Sequence, residues 1–174
     1  MTMWYRPVKP GTKRFKLFII KIVFVVLGRA FQSASRNDPD VKKEVSSWDD
    51  GFTLIMKVLP DGPLMGLEKK SDQLIFKWSK LKNADLEIYF RNIESAFMVM
   101  TPQIGAPQAF AEKRMSIKGD LGVSMSFTRA LNSLLALLYP RIIVKRLVKR
   151  VPVLTRKKIG IRIWLYTLGI LLGI

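Results

Sequence analysis

Phe52-Thr-Leu-Ile-Met-Lys-Val-Leu59 alternates along its whole length: Phe52, Leu54, Met56 and Val58 fall on one side of an extended chain, Thr53, Ile55, Lys57 and Leu59 on the other. A period of two with one apolar side is the mark of a β-strand lying on a core. The run ends at Pro60-Asp-Gly-Pro63, a turn by composition. Working outward, Leu64–Glu68 and Gln73–Trp78 read as strands on either side of Lys69-Lys-Ser-Asp72, and Leu86, Ile88 and Phe90 alternate with Glu87, Tyr89 and Arg91. With connections this short, the four strands are expected to form an antiparallel meander. Asn92–Met100 then reads as a helix, Pro102–Pro107 as a loop, Gln108–Lys113 as a short second helix and Arg114–Lys118 as a returning strand closed by Gly119-Asp120. Val123–Phe127 reads as one last strand and Thr128–Tyr139 as an apolar helix stopped by Pro140. The order β-β-β-β-α-α-β predicts an α+β fold.

On either side of this body the composition changes. Residues 1–36 carry eight Lys and Arg, residues 141–174 carry nine, and neither segment has an Asp or Glu, whereas 37–140 balances 13 basic against 13 acidic side chains. All of the net charge of +17 therefore lies in two arms around a neutral body, and the division 1–36, 37–140 and 141–174 follows. In the first arm, Phe15–Ala34 is helical by pattern, with Arg14, Lys21 and Gly28 recurring every seven residues on an otherwise apolar surface. A secretory signal is disfavoured, because Lys21 interrupts the apolar run and Gln32 stands where a small residue should precede a cut after Ala34. Asn37-Asp-Pro-Asp40 breaks the helix before a short segment, Asp40–Ser47.

The second arm is amphipathic. On a helix, Val144, Leu147, Val148 and Val151 share one face while Lys145, Arg146, Lys149 and Arg150 share the other; Arg156, Lys157 and Lys158 follow, then Ile163-Trp-Leu-Tyr166 and an apolar tail. Three readings fit such a face: a solvated helix side, a nucleic-acid surface and a membrane-interface helix. These arms pair their cations with Ile, Leu and Val and carry Trp4, Tyr5, Trp164 and Tyr166 near their ends, which favours the membrane interface and disfavours nucleic acid. Each arm is too short between charges to span a bilayer of about 30 Å alone. The expected cation set for an anionic membrane is Lys13, Arg14, Lys21, Lys145, Arg146, Lys149, Arg150, Arg156, Lys157 and Lys158, with Trp164 as the aromatic anchor.

Composition removes most catalytic chemistry. The chain has no Cys and no His, so thiol nucleophiles, imidazole bases and the usual zinc ligand sets are absent, and no dinucleotide, phosphate-loop or nucleophile-elbow pattern occurs. Asp85 with Glu87 could supply paired carboxylates, but a spacing of two places both on one solvent-facing strand side. No enzyme activity, cofactor or metal is expected. Six of the eight Met residues, Met56, Met65, Met98, Met100, Met115 and Met125, lie in the neutral body, where flexible thioethers serve either a packed core or a deformable pocket wall.

Asp85-Leu-Glu-Ile-Tyr-Phe-Arg-Asn92, Gly105-Ala-Pro-Gln-Ala-Phe110 and Met115-Ser-Ile-Lys-Gly-Asp120, in that order, resemble consecutive motifs of the sterol-carrier-protein domain family. Asp50-Gly-Phe-Thr-Leu-Ile-Met-Lys57 and Pro60-Asp-Gly-Pro-Leu64 resemble its opening strands more loosely, so the likeness covers about residues 45–140, the charge-neutral stretch. The resemblance implies a five-stranded antiparallel sheet covered by helices around an apolar tunnel for acyl, isoprenoid or sterol-like molecules, and it brings no catalytic residues. Ala109 and Phe110 would line that tunnel from a helix, and Met115 and Ile117 from the next strand. Leu54, Met56, Ile88, Phe90, Phe97, Met100, Met125 and Phe127 complete the expected lipid-facing set. The expectation is a lipid binder held by both arms at the cytoplasmic side of a membrane, peripheral or monotopic. The alternative is a non-catalytic subunit whose apolar arms dock on the proteins of a membrane complex.

Overall fold

A computed structural model describes residues 11–78, 84–101, 103–139 and 160, with the side chains of 11–13 left aside. Its elements are α1 (Gly11–Asn37), α2 (Pro39–Ser46), β1 (Thr53–Val58), β2 (Leu64–Lys70), β3 (Gln73–Lys77), β4 (Leu86–Phe90), α3 (Ile93–Met100), α4 (Ala106–Ala111), β5 (Met115–Gly119) and α5 (Leu121–Leu138). The C-terminal arm, and with it Lys145, Arg146, Lys149, Arg150, Arg156, Lys157, Lys158 and Trp164, lies outside the described residues.

The five strands form one sheet in the order β3-β2-β1-β4-β5. Three pairings are antiparallel, but β1 and β4 run parallel, with Leu54 beside Leu86 and Val58 beside Phe90. The expected all-antiparallel meander is corrected here: the link from Lys77 to Leu86 carries the chain from one edge past two strands. Three strand positions span about 14 Å and a five-residue strand runs about 16 Å, so the diagonal from the end of β3 to the start of the parallel β4 is about 21 Å, within the roughly 26 Å that eight extended residues reach at about 3.3 Å each. A short link therefore suffices for a parallel return without a crossover helix.

Register puts Leu54, Met56 and Val58 of β1, Met65 and Leu67 of β2, and Leu86, Ile88 and Phe90 of β4 on one face, all buried. The helices cover this face, and the opposite face carries Lys57, Glu68, Lys77, Glu87 and Lys118. Lys69 is the exception on the inner face, 4% exposed. Its Nζ donates to the carbonyls of Ser46 and Trp48 at the end of α2 and pairs with Asp72, supplying hydrogen bonds and positive charge where helical carbonyls lack partners.

Two expectations about helices are corrected. Val123–Phe127 is not a strand but the beginning of α5, because Asp120 accepts from the Val123 amide at 2.9 Å and caps the helix start. The apolar alternation of Val123, Met125 and Phe127 imitated a strand, while Ser126 between them is buried and accepts a hydrogen bond from Trp48 Nε1 at 2.9 Å. The N-terminal arm is not separate from the body either. Ile20, Phe24, Leu27, Ala30, Phe31 and Ala34 of α1 join the same core as the sheet. Gln32 and Ser35 accept from the Phe76 and Leu74 amides of edge strand β3, which closes that edge. At Gly28 a Cβ would stand 2.2 Å from the Phe76 ring, so the close approach of helix to strand requires glycine there. The expectation that the first arm is too short between charges to span is corrected as to length: Arg14–Asn37, like Leu121–Leu138, is long and apolar enough to cross a membrane by length and composition, yet 44% of each apolar window is buried within the protein.

α5 is tied to α2 by Arg129, whose guanidinium reaches Glu44 at 2.8 Å while Ser126 donates to the same carboxylate at 3.0 Å. The Arg129 hydrogen bond holds the Glu44 carboxyl below its ordinary value of 4.5, against the opposing effect of burial. A depressed folded-state value stabilises the fold above the ordinary value and ceases to do so as pH falls through the depressed one. Thermal melts of Arg129→Met against the wild type should therefore show a reduced advantage at neutral pH and convergence of the two proteins under strong acid. A constant gap between them at every pH would show that the pair is not coupled to folding.

Candidate functional site

The helices do not fill all the space above β4 and β5. Val23 and Leu27 of α1, Val99 and Met100 of α3, Phe110 of α4, Ile88 and Ile117 of the sheet, and Phe127, Leu131 and Leu135 of α5 surround an apolar cavity of about 70 Å³. A single water needs roughly 10–15 Å³ on this scale, so the cavity admits a short hydrocarbon segment as it stands. Longer occupancy requires side chains to move, and the walls suit that: Met100 and Met115 are unbranched thioethers with several rotatable bonds. Among the described residues no wall side chain is charged.

Local sequence explains the walls. Asn92 caps α3 by accepting from the Ser95 amide at 2.8 Å, which aims Val99 and Met100 over β4. Gly105 precedes Pro107 at the start of α4, and the Arg114 amide returns to the Ala109 carbonyl at 2.8 Å, so α4 lies against β5 with Phe110 turned to the cavity. From α5, Thr128, Leu131, Asn132 and Leu135 recur at helical spacing and, with Tyr139 just past the helix end, supply one whole side. Beside the cavity lies an open groove of about 510 Å³, which shares Phe110, Met115, Ile117 and Thr128 as walls and is rimmed by Leu121 and Met125, 75% and 57% exposed.

Of the expected lipid-facing residues, Ile88, Met100, Phe110, Met115, Ile117 and Phe127 line the cavity. Leu54, Met56 and Phe90 are buried on the same sheet face without forming a wall, and Phe90 meets Phe24 at 6.4 Å. Ala109 is buried behind Phe110, and Phe97 is half-buried beneath the Lys16 ammonium, 5.3 Å from its ring. Met125 belongs to the outer groove. The remaining walls, among them Val23, Leu27, Leu131, Asn132 and Leu135, come from α1 and α5, whose patterns in the sequence mark an arm and a plain apolar helix.

Arg14 and Lys21 of the expected membrane set are exposed on the outward side of α1, beside Phe15, Phe18 and Ile22, which are 67%, 59% and 46% exposed. The candidate carboxylates do not form a pair: Asp85 accepts from the Thr53 amide and hydroxyl, both at 2.8 Å, while Glu87 lies on the outer face of β4 beside Lys118. Among the described residues no cluster of three or more Asp or Glu side chains forms a metal-binding group.

No family model and no curated protein matches the chain. Among solved structures it is similar to the UbiJ-SCP2 ubiquinone synthesis protein, with 15% identity over 72% of this chain and 99% of that one and a TM-score of 0.43. It is similar also to sterol carrier protein domain 2 of Helicoverpa armigera (14% identity, 75% and 94% coverage, TM-score 0.43) and to apo sterol carrier protein 2 from Yarrowia lipolytica (13% identity, 76% and 94% coverage, TM-score 0.42). All three bear sterol-carrier descriptions, the family that the motifs of residues 85–120 resemble; what their names say of ubiquinone or sterol is said of those proteins.

Proposed function

We propose that this protein is a non-catalytic lipid binder that takes an apolar chain into the cavity under α5 while α1 faces a membrane. The observation that carries the reading is the cavity itself: a space whose described walls, from three helices, a short fourth helix and two strands, are apolar or uncharged and include adaptable Met side chains. Burying each CH₂ of a ligand contributes about 0.8 kcal/mol, so a chain that displaces Met100 and Met115 can recover that rearrangement within a few carbons. The outward side of α1 supports the membrane half. Three large apolar side chains flanked by Arg14 and Lys21 suit the boundary between acyl chains and anionic headgroups. The cationic termini of the sequence would add to that attraction.

Native mass spectrometry of the purified full chain, together with sedimentation on anionic and on neutral vesicles at low salt, tests both halves. The expected result is a stoichiometric co-purified lipid and selective binding to anionic vesicles. A chain that stays off anionic vesicles loses the membrane half. A chain free of lipid that co-purifies with membrane-complex subunits supports the accessory role instead.

A further inference from the structure

Edge strand β3 lays an apolar row under α1 that does not stay covered. Leu74, Phe76 and Trp78 follow one another at a spacing of two on the inner side, and exposure climbs from 1% at Leu74, through a half-buried Phe76, to 50% at Trp78. The strand runs opposite to the helix: Ser35 accepts from the Leu74 amide, Gln32 accepts from the Phe76 amide, and Gly28 abuts the Phe76 ring. Two strand residues advance about 6.6 Å and one helical turn about 5.4 Å, so the next step along β3 puts Trp78 beside residues 25–28 of α1, roughly a turn from Lys21 and Ile22. Arg14, Lys21 and Gly28 lie on one line of the helix at seven-residue spacing; the first two are exposed cations and the third meets β3. The cationic line of α1 therefore leads to Trp78, with the exposed Phe15, Phe18 and Ile22 on the line beside it.

The two described indoles have different surroundings. Trp48 is 3% exposed and donates its Nε1–H to Ser126, whereas Trp78 is held at the surface by an edge contact with Phe76, 6.0 Å between ring centres. An indole with an apolar body and a polar N–H suits the boundary between acyl chains and headgroups. Cations bordering that boundary suit anionic lipid, and residues 1–36 carry eight Lys and Arg and no Asp or Glu. We infer that the membrane face is built from two elements, α1 and the end of β3, with Trp78 as its interfacial anchor. Resting on the reading that α1 faces a membrane, this assignment carries the contact onto the sheet. A helix alone on a bilayer can roll about its axis; contacts on the helix and on the strand beside it fix that roll.

Vesicles of phosphatidylglycerol brominated on the acyl chains quench an indole that touches those chains. At vesicle concentrations that hold both proteins fully bound, subtracting the emission of Trp78→Phe from that of the full-length wild type isolates Trp78 from the other three Trp residues. The difference emission should move to shorter wavelength on plain phosphatidylglycerol vesicles and be quenched on the brominated ones. In sedimentation at low salt, Trp78→Ala should weaken binding to these vesicles about fivefold, half of the side chain being covered already, and Trp78→Phe should keep part of the affinity. Thermal melts verify that both variants fold, and the quenching reads the native residue whatever the alanine variant does. A wild type that binds vesicles with its Trp78 emission unshifted and unquenched, or a folded Trp78→Ala that binds as tightly as the wild type, overturns the anchor and leaves α1 alone as the membrane face. A wild type that stays off the vesicles overturns the membrane reading and the anchor together.

Discussion

Replacing Phe127 by Ala is expected to lower the unfolding free energy by about 3–5 kcal/mol, the range for removing a fully buried aromatic ring. Phe127 is 1% exposed, its ring stacks on Phe31 at 5.5 Å, and it lies 6.4 Å from the ring of Trp48. It therefore joins α1, the segment after α2 and α5 at one point. Collapse into the gap is hindered, because Trp48 is tethered by its Nε1 to Ser126 and Phe31 sits on a helix held to the β3 edge. A gap that cannot close retains the full cost of the missing contacts. The same substitution enlarges the cavity, of which Phe127 is a wall, so on the proposed lipid-binding function a saturating lipid should return part of the lost stability by binding the folded state alone. Urea denaturation with and without lipid measures both effects. A loss below about 1 kcal/mol would mean that α5 does not rest on this contact.

The strands of the sheet are legible because each carries its own signal: Leu54, Met56 and Val58 alternate with Thr53, Ile55 and Lys57, of which only Ile55 is apolar and buried, Leu86, Ile88 and Phe90 alternate with half-exposed neighbours, and the turns between β1, β2 and β3 are marked by Pro, Gly and Asp. Strand order is not a local property. Whether the chain after Lys77 turns back beside β3 or travels to the far side of β1 depends on which apolar faces must meet under the helices, and eight residues permit either path. The α5 start was obscured because Val123, Met125 and Phe127 happen to alternate; the Lys-Gly-Asp before them supplied a helix cap that outweighs that coincidence. The cavity was half visible for the same reason. Its sheet and α4 walls follow from strand alternation and the family resemblance, whereas its α5 wall follows a helical spacing, 128, 131, 132 and 135, that a strand reading over 123–127 interrupts.

The inner face of α1 is not legible in the sequence, since a helix apolar nearly all round gives no sidedness and its charges mark the outward face alone. Two phenylalanines six residues apart separate its two faces. Phe24 is fully buried and meets Phe90 at 6.4 Å, so Phe24→Ala should cost about 3–5 kcal/mol in denaturation. Phe18 is 59% exposed, and Phe18→Ala should stay within about 0.5 kcal/mol. On anionic vesicles the order should reverse. Exchanging Phe15, Phe18 and Ile22 together for Ser should weaken binding at least about tenfold, since fully burying one such side chain is worth about 1.5–3 kcal/mol, while leaving the fold and the cavity as they are. Phe24→Ala, where it remains folded, should bind vesicles as the wild type does. A helix that lay free on the membrane surface would instead show Phe24 and Phe18 with the same small effect on unfolding. A helix used only as scaffold would show the triple Ser variant binding vesicles unchanged. The expected crossed pattern belongs to a helix that is at once a core element and a membrane face, which brings the cavity wall at Val23 and Leu27 within one turn of the side chains that would touch lipid.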